Sequence, residues 1–275
     1  MADFSLEDLK TLRERLGTGM VETKNALVEA GGDLEKATEL LRVKGAKGNA
    51  RRADRSTSEG LVAAKENGTT ATLIELACET DFVAKSAKFV ALGDNVLEAV
   101  AAAGVSTVEG ALAASAGGQT VADLIGGEAA ILGEKVELRR VALVSGEKFA
   151  IYLHKTNKDL PPQVGVIVGY SGDDADTARS VAQHISFADP QYLSRADVPA
   201  DKVKNERRIV EEISRAEGKP EAALPKIIEG RLTAFIKQVS LLEQEYAKDN
   251  KLAVGKVLSD AGLTVSDFVR FKVGA

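Results

Sequence analysis

Apolar residues in the first 42 positions recur at the spacing of a helix and are interrupted twice by glycine. The first stretch places four leucines on one helical face: Leu6, Leu9, Leu12 and Leu16. We expect Gly17-Thr18-Gly19 to end this helix and Gly31-Gly32 to end a second one. Asp33 is placed to cap a third helix. Residues 1–42 are therefore predicted to form a three-helix unit, whose core is marginal at this size and which would bind a partner or a neighbouring domain.

Residues 43–58 follow as a basic segment without an apolar period. Six basic side chains lie in it or at its start, against the single acid Asp54: Arg42, Lys44, Lys47, Arg51, Arg52 and Arg55. The glycines and alanines between them indicate a linker. An accessory protein that binds RNA through this basic segment is the alternative function. The lack of interleaved aromatic residues for base stacking argues against that alternative.

From residue 59 onward, the order of the predicted elements repeats. Apolar runs predict strands at 60–65, 69–78 and 136–144 in the first half, and at 148–154, 164–170 and 265–273 in the second. Asn67-Gly68 predicts a hairpin between the first two strands. Both halves read strand, strand, helix, helix, strand. This order predicts an α+β fold with a duplicated, mainly antiparallel core, in which helices cover one face of each sheet.

Two segments interrupt the repeat. Residues 104–118 are rich in Ala and Gly and are predicted to be a loose insertion into the first half, residues 59–145. Residues 198–250 carry two amphipathic stretches separated by Gly218-Lys219-Pro220, which predicts a helical hairpin. The second half then consists of residues 146–197 and 251–275. A projecting hairpin would expose apolar residues, so we expect it to be a possible surface for homodimerisation.

The composition narrows the class of protein. Hydrophobic residues make up 44% and charged residues 28%, as in ordinary soluble proteins. A net charge of −5 argues against a general nucleic-acid binder. The single cysteine cannot form an intrachain disulfide, which favours a reducing compartment. We find neither a signal peptide nor a stretch apolar enough to cross a membrane, and therefore expect a cytoplasmic protein that does not bind membranes.

Candidate catalytic groups are few and scattered. The only histidines are His154 and His184, and Cys78 lies in an apolar strand, so each is more typical of a structural residue than of a catalyst. The acids around Asp173 lack the glycine and the distal glutamate of a calcium loop. Phosphate-binding and dinucleotide-binding glycine motifs are absent from the sequence. We therefore expect a binding protein without enzymatic activity, metal or cofactor.

One connection combines a carboxylate and an aromatic ring in a chain that is poor in aromatic residues. It runs Glu79-Thr80-Asp81-Phe82-Val83-Ala84-Lys85, between the predicted strand at 69–78 and a predicted helix. Connections of this kind often carry function. The alternative is structural: Phe82 packs under the sheet and Asp81 caps a turn.

Several short motifs, in the same order over nearly the whole chain, carry a resemblance to a known family. They are Leu12-Arg13-Glu14-Arg15 with Gly17, Gly19 and Met20; Thr80-Asp81-Phe82-Val83-Ala84-Lys85; Ala182-Gln183-His184-Ile185 with Asp189-Pro190-Gln191-Tyr192-Leu193; Glu229-Gly230-Arg231-Leu232; and Val269-Arg270-Phe271-Lys272-Val273-Gly274. Together they resemble the elongation factor Ts family, the bacterial guanine-nucleotide exchange factors for elongation factor Tu. One departure is Val21, where some members carry a second Met.

The resemblance implies an architecture and a mechanism. The architecture is an N-terminal helical domain of the ubiquitin-associated type, a two-part core and a helical-hairpin insertion. The protein would bind elongation factor Tu with GDP, displace magnesium and promote GDP release. In that mechanism Phe82 is a wedge that enters the GTPase, Asp81 acts beside it, and Thr80 and Val83 shape the turn. The other residues implied to contact the partner are Arg13, Met20, Val21, Lys85 and His184.

Overall fold

The structure, a computed structural model, describes residues 4–16 and 18–275. Three helices form the N-terminal part: α1 (Leu6–Leu16), α2 (Met20–Glu29) and α3 (Leu34–Arg52). Their apolar faces form one cluster: Leu9, Leu12, Ala26, Leu27, Ala37 and Leu41. Asp33 caps α3, and its carboxylate accepts hydrogen bonds from the backbone N–H groups of Glu35 and Lys36 at 2.9 and 3.1 Å. The predicted stop at Gly17 lies outside the described residues.

The first half of the core is a three-stranded antiparallel sheet covered by helices. Its elements are β1 (Glu59–Asn67), β2 (Thr70–Cys78), α4 (Asp81–Ala84), α5 (Ala87–Ala103), α6 (Val108–Ala113), β3 (Ser115–Ala116), β4 (Gln119–Thr120), α7 (Val121–Leu132) and β5 (Val136–Ser145). The sheet order is β1-β2-β5, and β3 pairs with β4 in a separate ribbon. Phe89 and Val96 of α5 are buried against the sheet side chains Ile74 and Leu76, which fixes the helices on one face.

The second half repeats this arrangement. Its elements are β6 (Lys148–His154), β7 (Val164–Ser171), α8 (Ala175–Ala188), α9 (Ala200–Ala216), α10 (Leu224–Val239), β8 (Glu245–Tyr246), β9 (Asp249–Ala253), α11 (Val254–Asp260) and β10 (Thr264–Lys272). The sheet order is β6-β7-β10, with the second strand again in the centre. Both strand pairings in each half are antiparallel, as predicted. The α+β fold with a duplicated core is therefore confirmed.

The two sheets pack against each other through the faces that the helices leave free. Side chains from both sheets form this layer: Val62, Ala71, Leu73, Val144, Ile167 and Phe271. Gly165 of β7 lies so close to β2 that a Cβ atom there would be 2.8 Å from Cδ1 of Leu73. Glu75 is fully buried in the same layer and forms salt bridges with Arg139 and Arg140. The core is thus two sheets back to back, with helices on the outer faces.

The prediction of a linker is wrong for residues 43–52, because α3 continues without interruption to Arg52. The reason is support from α7, which the local sequence does not reveal. The Asn49 side-chain amide donates a hydrogen bond to the Gly126 carbonyl at 2.7 Å. Gly45 allows close packing, since a Cβ atom there would be 2.9 Å from Cβ of Ala130. Basic residues 43–52 therefore lie on a helix that joins the N-terminal helices to the core.

One smaller expectation is also corrected, and the predicted β1–β2 hairpin is confirmed with its turn one residue later. Residues 104–118 are not a loose insertion, because they contain α6 and β3 and contribute Ala111 and Ala114 to the buried cluster of the first half. The hairpin between β1 and β2 turns at Gly68-Thr69, with Asn67 paired to Thr70 as the last strand residue. Gly68 adopts a positive φ of 64°, which favours glycine.

The predicted hairpin is present as α9 and α10, but most of its apolar residues are buried between the two helices. Val210 of α9 packs against Leu224, Ile228 and Leu232 of α10. Ile213 is the large apolar side chain of the described hairpin that stays most open to solvent, at 45%. Homodimerisation through this hairpin stays a prediction, as do the domain boundaries.

A separate finding concerns membranes. None of the helices in the described part of the chain combines the length and the apolar character needed to cross a lipid bilayer.

The close approach at Gly165 generates a prediction about stability. A Gly165→Ala substitution forces a methyl group against Leu73 and Val62 and should lower the free energy of unfolding by about 1 to 3 kcal/mol. The matched control is Gly230→Ala in α10, where a Cβ atom meets nothing within 4 Å. That change should raise the free energy of unfolding by about 0.5 to 1 kcal/mol. Urea denaturation measures both, and equal stability of the two variants would contradict the described sheet packing.

Candidate partner-binding site

The connection after β2 is a short, capped helical turn. The Thr80 hydroxyl accepts a hydrogen bond from the Val83 N–H at 3.4 Å and so caps α4. The next helix starts only a few residues later, where the Ser86 hydroxyl accepts from the Phe89 N–H at 3.2 Å. Two caps of this kind hold the backbone in a fixed turn between the strand and α5. Ala84, between them, is fully buried.

Phe82 projects from this turn into solvent. Its side chain is 74% exposed, whereas Val83 and Ala84 pack into the core of the first half. The ammonium of Lys85 lies 4.4 Å from the centre of the ring and 3.1 Å from the Asp81 carboxylate. The structural alternative, in which Phe82 packs under the sheet, is therefore wrong. The exposed ring is free to contact another molecule, and aromatic residues are enriched at protein interfaces.

A pair of carboxylates fixes the start of the turn: Glu79, the first residue of the connection, and Glu134, which was not singled out in the sequence. Glu134, in the turn between α7 and β5, accepts hydrogen bonds from the N–H groups of Glu79 and Thr80 at 3.1 and 3.0 Å and from the Thr80 hydroxyl at 2.6 Å. In return, Glu79 accepts from the N–H of Lys135 at 2.6 Å. We call Glu79, Thr80, Glu134 and Lys135 the clasp. It ties the connection to a second turn of the same sheet.

The clasp also reaches the end of the basic segment. An Arg55 guanidinium nitrogen lies 3.2 Å from the Glu79 carboxylate, and the Lys135 ammonium donates to the Arg55 carbonyl at 3.1 Å. Since Arg55 lies three residues after the end of α3, these contacts connect the end of this helix to the Phe82 turn.

Cys78 lies at the base of the turn and is inert. Burial, together with the charges of Glu134 and Glu59, raises the pKa of its thiol to about 12. The thiol donates to the Thr80 carbonyl at 3.4 Å. A thiol with this pKa is protonated at neutral pH and is a poor nucleophile.

Apart from Lys85, the other residues implied by the resemblance lie elsewhere on the molecule. Arg13 of α1 and Met20 and Val21 of α2 are exposed, the last two by 50% and 71%. They belong to the N-terminal helices, whereas the Phe82 turn belongs to the first half of the core. The structure thus gives the N-terminal helices an apolar surface of their own.

His184, by contrast, is 3% exposed on α8 in the second half. Its Nδ1 accepts from the Ala247 N–H at 3.2 Å, so Nε2 carries the proton and donates to the Gln244 side-chain oxygen at 2.8 Å. The ring lines a cavity of about 420 Å³ together with Lys237 and Glu243. His184 therefore lies beneath the surface, and Lys237 and Glu243 at the cavity are more open to solvent.

A second exposed ring was missed by the sequence interpretation. Phe187, near the end of α8, is 84% exposed. The backbone beyond it turns through Asp189, whose φ of 48° is positive, and Arg270 holds this corner through the Asp189 carboxylate at 2.8 Å and the Ser186 carbonyl at 3.1 Å. The signal was present in the sequence, since Phe187 falls outside the apolar stripe that contains Ala178, Val181, Ala182 and Ile185.

The sequence is similar to a known protein family. A family model described as "Elongation factor TS" matches residues 79–275, which begin at the clasp residue Glu79. Proteins named Elongation factor Ts are similar over 100% of both chains: 76% identity in Leifsonia xyli subsp. xyli, 70% in Clavibacter sepedonicus and 54% in Micrococcus luteus.

The burial of His184 generates a prediction about pH. Burial lowers the pKa of His184 from its ordinary 6.5, against a smaller opposing effect of the Gln244 hydrogen bond. Below pH 6.5 the unfolded chain binds a proton that the folded protein resists, so stability should fall as the pH is lowered from about 7.5 to about 5.5. A His184→Gln variant should lose part of this decrease. His154→Gln, which keeps His184, is the control.

Calorimetric melting temperatures across this pH range provide the measurement. If His184→Gln and the wild type lose the same stability on acidification, the folded protein protonates His184 as readily as the unfolded chain does, and the described burial is contradicted.

Proposed function

The chain belongs to the elongation factor Ts family of translation elongation factors, and we propose that it is a guanine-nucleotide exchange factor for elongation factor Tu. It binds the GDP-bound GTPase, displaces magnesium and promotes GDP release. The observation that carries this proposal is the ring of Phe82, held 74% exposed on a capped turn. Exchange of this kind requires neither covalent chemistry nor a cofactor of the protein itself.

The residues of the turn have separate roles in this proposal. Phe82 enters the nucleotide domain of the GTPase as a wedge and displaces the elements that hold the magnesium ion. Asp81 acts beside it, while Thr80 and Val83 keep the turn in shape. Lys85, whose ammonium lies over the ring in the free protein, exchanges this contact for one with the partner. A preformed turn supports the proposal, because a ring that is already exposed loses little order on insertion.

The energy of one ring is too small to drive exchange alone. Burial of a phenylalanine side chain stabilises by about 1.5 to 3 kcal/mol. Moving a partner from almost entirely one state to almost entirely another requires about 5.5 kcal/mol of differential binding. The remainder comes from lost magnesium ligation and from contacts made by the N-terminal helices and the second half. By linkage, bound GDP lowers the affinity of the GTPase for the factor by the same ratio as the factor lowers its affinity for GDP.

We assign the holding contacts to two other surfaces. Arg13, Met20 and Val21 dock the N-terminal helices on the nucleotide domain, which their exposure supports. The second half contacts a different domain of the partner, with His184 supporting that surface from beneath. A homodimer through the α9–α10 hairpin remains compatible with this arrangement.

The first functional prediction concerns Phe82→Ala. Each 1.36 kcal/mol of lost transition-state stabilisation is tenfold in rate, so loss of ring burial should slow GDP release about tenfold or more at saturating factor. The complex should still form, because the holding contacts remain. Release of a fluorescent GDP analogue from elongation factor Tu, followed by stopped flow, provides the measurement.

The matched control is Phe187→Ala, which removes a ring that is also largely exposed from the other half of the core. Its maximal release rate should stay close to that of the wild type. A Phe82→Ala variant that exchanges at the wild-type rate would remove Phe82 from the mechanism.

The second functional prediction concerns the N-terminal helices. Deletion of residues 1–42 removes Arg13, Met20 and Val21 but leaves Asn49 and its hydrogen bond to α7. The truncated chain should bind nucleotide-free elongation factor Tu more weakly while its circular dichroism shows a folded core. Titration calorimetry measures the affinity, and an unchanged value would exclude a docking role for these helices.

A further inference from the structure

We propose that Glu134 is a positioning residue for Phe82, which holds the turn in its protruding form before the partner is met. This inference rests on the exchange function proposed above. It is carried by the three hydrogen bonds that the Glu134 carboxylate accepts from Glu79 and Thr80, at 3.1, 3.0 and 2.6 Å. Glu134 does not touch the partner in this proposal and acts only through the turn.

The Thr80 hydroxyl links Glu134 to the helical turn. This hydroxyl donates to the Glu134 carboxylate and at the same time accepts from the Val83 N–H. A hydroxyl has one proton, so its donation to Glu134 leaves its lone pairs directed at α4. Glu134, Thr80 and Val83 form a chain of hydrogen bonds that spans Phe82. The carboxylate therefore sets the orientation of the residues on both sides of the ring.

Glu134 is itself held by regular structure. It follows Gly133, which ends α7 with a positive φ of 75° and donates to the Ala129 carbonyl at 3.0 Å. Strand β5 begins two residues later, at Val136. The reciprocal hydrogen bond from Lys135 to Glu79 closes the clasp from the other side. The turn is thus positioned by a helix end and a strand rather than by a free loop.

The chemistry of the site explains why a carboxylate is required. All three groups that face Glu134 are donors, and an ionised carboxylate is the side chain that accepts on both oxygens. Hydrogen bonds to an ionised group are about twice as strong as neutral ones. A glutamine offers a single acceptor oxygen, and its amide group would face a donor. Glu134→Gln should therefore retain only part of the effect.

The turn needs this support because its largely exposed ring contributes little packing to its own fold. Val83 and Ala84 hold the far side of Phe82 in the core, but the near side, at Glu79 and Thr80, is held by polar contacts. Without Glu134 the turn would sample other conformations, and only the competent fraction could insert the ring. The ring inserts after the complex has formed. Loss of Glu134 therefore lowers the maximal rate of GDP release more than it lowers the affinity for the partner.

Glu134→Ala in the full chain provides the test, with Glu109→Ala as the matched control. Glu109 is an exposed glutamate of α6 in the same half of the core. Glu134→Ala should lower the maximal rate of fluorescent GDP release about tenfold, since charge-assisted hydrogen bonds are lost, with little change in the concentration for half-maximal effect. The release rate of Glu134→Gln should lie between those of Glu134→Ala and the wild type, and Glu109→Ala should release GDP at the wild-type rate.

A double-mutant cycle separates positioning from general damage to the fold. In a Phe82→Ala background, Glu134→Ala should cause no further loss of rate, because there is no ring left to position. An equal loss in both backgrounds would show that Glu134 acts on the fold as a whole and would overturn the proposal. So would a wild-type rate for Glu134→Ala. If Glu134→Ala does not fold, Thr80→Val breaks the same chain of hydrogen bonds and takes its place in the cycle.

A readout in the free protein distinguishes this proposal from the exchange function. Hydrogen exchange at the Glu79 and Thr80 amides should accelerate in Glu134→Ala and stay at the wild-type rate in Glu109→Ala. Unchanged protection would overturn the positioning role even if the exchange function holds. If the wild type does not accelerate GDP release, the proposed function fails. Accelerated amide exchange in Glu134→Ala would still show that Glu134 stabilises the turn.

Discussion

The exposed ring of Phe82 imposes the constraint on which the candidate site depends. A largely exposed phenylalanine contributes little packing energy to its own fold, so the backbone that carries it must be held mainly by contacts that do not involve the ring. The structure supplies these on both sides, with Val83 and Ala84 in the core and the clasp between Glu79, Thr80, Glu134 and Lys135. The result is a rigid turn with an apolar tip.

The duplicated core provides the platform for this turn. Its two sheets pack back to back, and Glu75 links them inside the layer because it pairs with Arg139 and Arg140 and also accepts from the Gly274 N–H at 3.3 Å. Buried charges of this kind are retained only when they are well paired. The end of β10 is thereby attached to the central strand of the first half. Each half keeps its outer surface for its helices and, in the proposed complex, for a separate contact with the partner.

The sequence predicted the elements whose signals are local. Apolar runs located the strands, and the repeat of element order revealed the duplication. Prediction from the sequence failed where the stabilising contact comes from a residue that is distant in the chain. Helix α3 continues through the basic segment because Asn49 binds a carbonyl 77 residues away, and the Phe82 turn is fixed by Glu134, which lies 54 residues from Thr80. The burial of His184 likewise depends on Gln244 and Ala247. No periodicity records such pairings.

The most direct test of the account is the environment of the Phe82 ring itself. Site-specific incorporation of a fluorinated phenylalanine at position 82 allows its fluorine signal to be compared in H₂O and D₂O, with and without nucleotide-free elongation factor Tu. A ring that inserts into the partner should show a clear solvent isotope shift in the free protein and lose it in the complex. A ring that stays equally open to solvent in the complex would contradict the central claim.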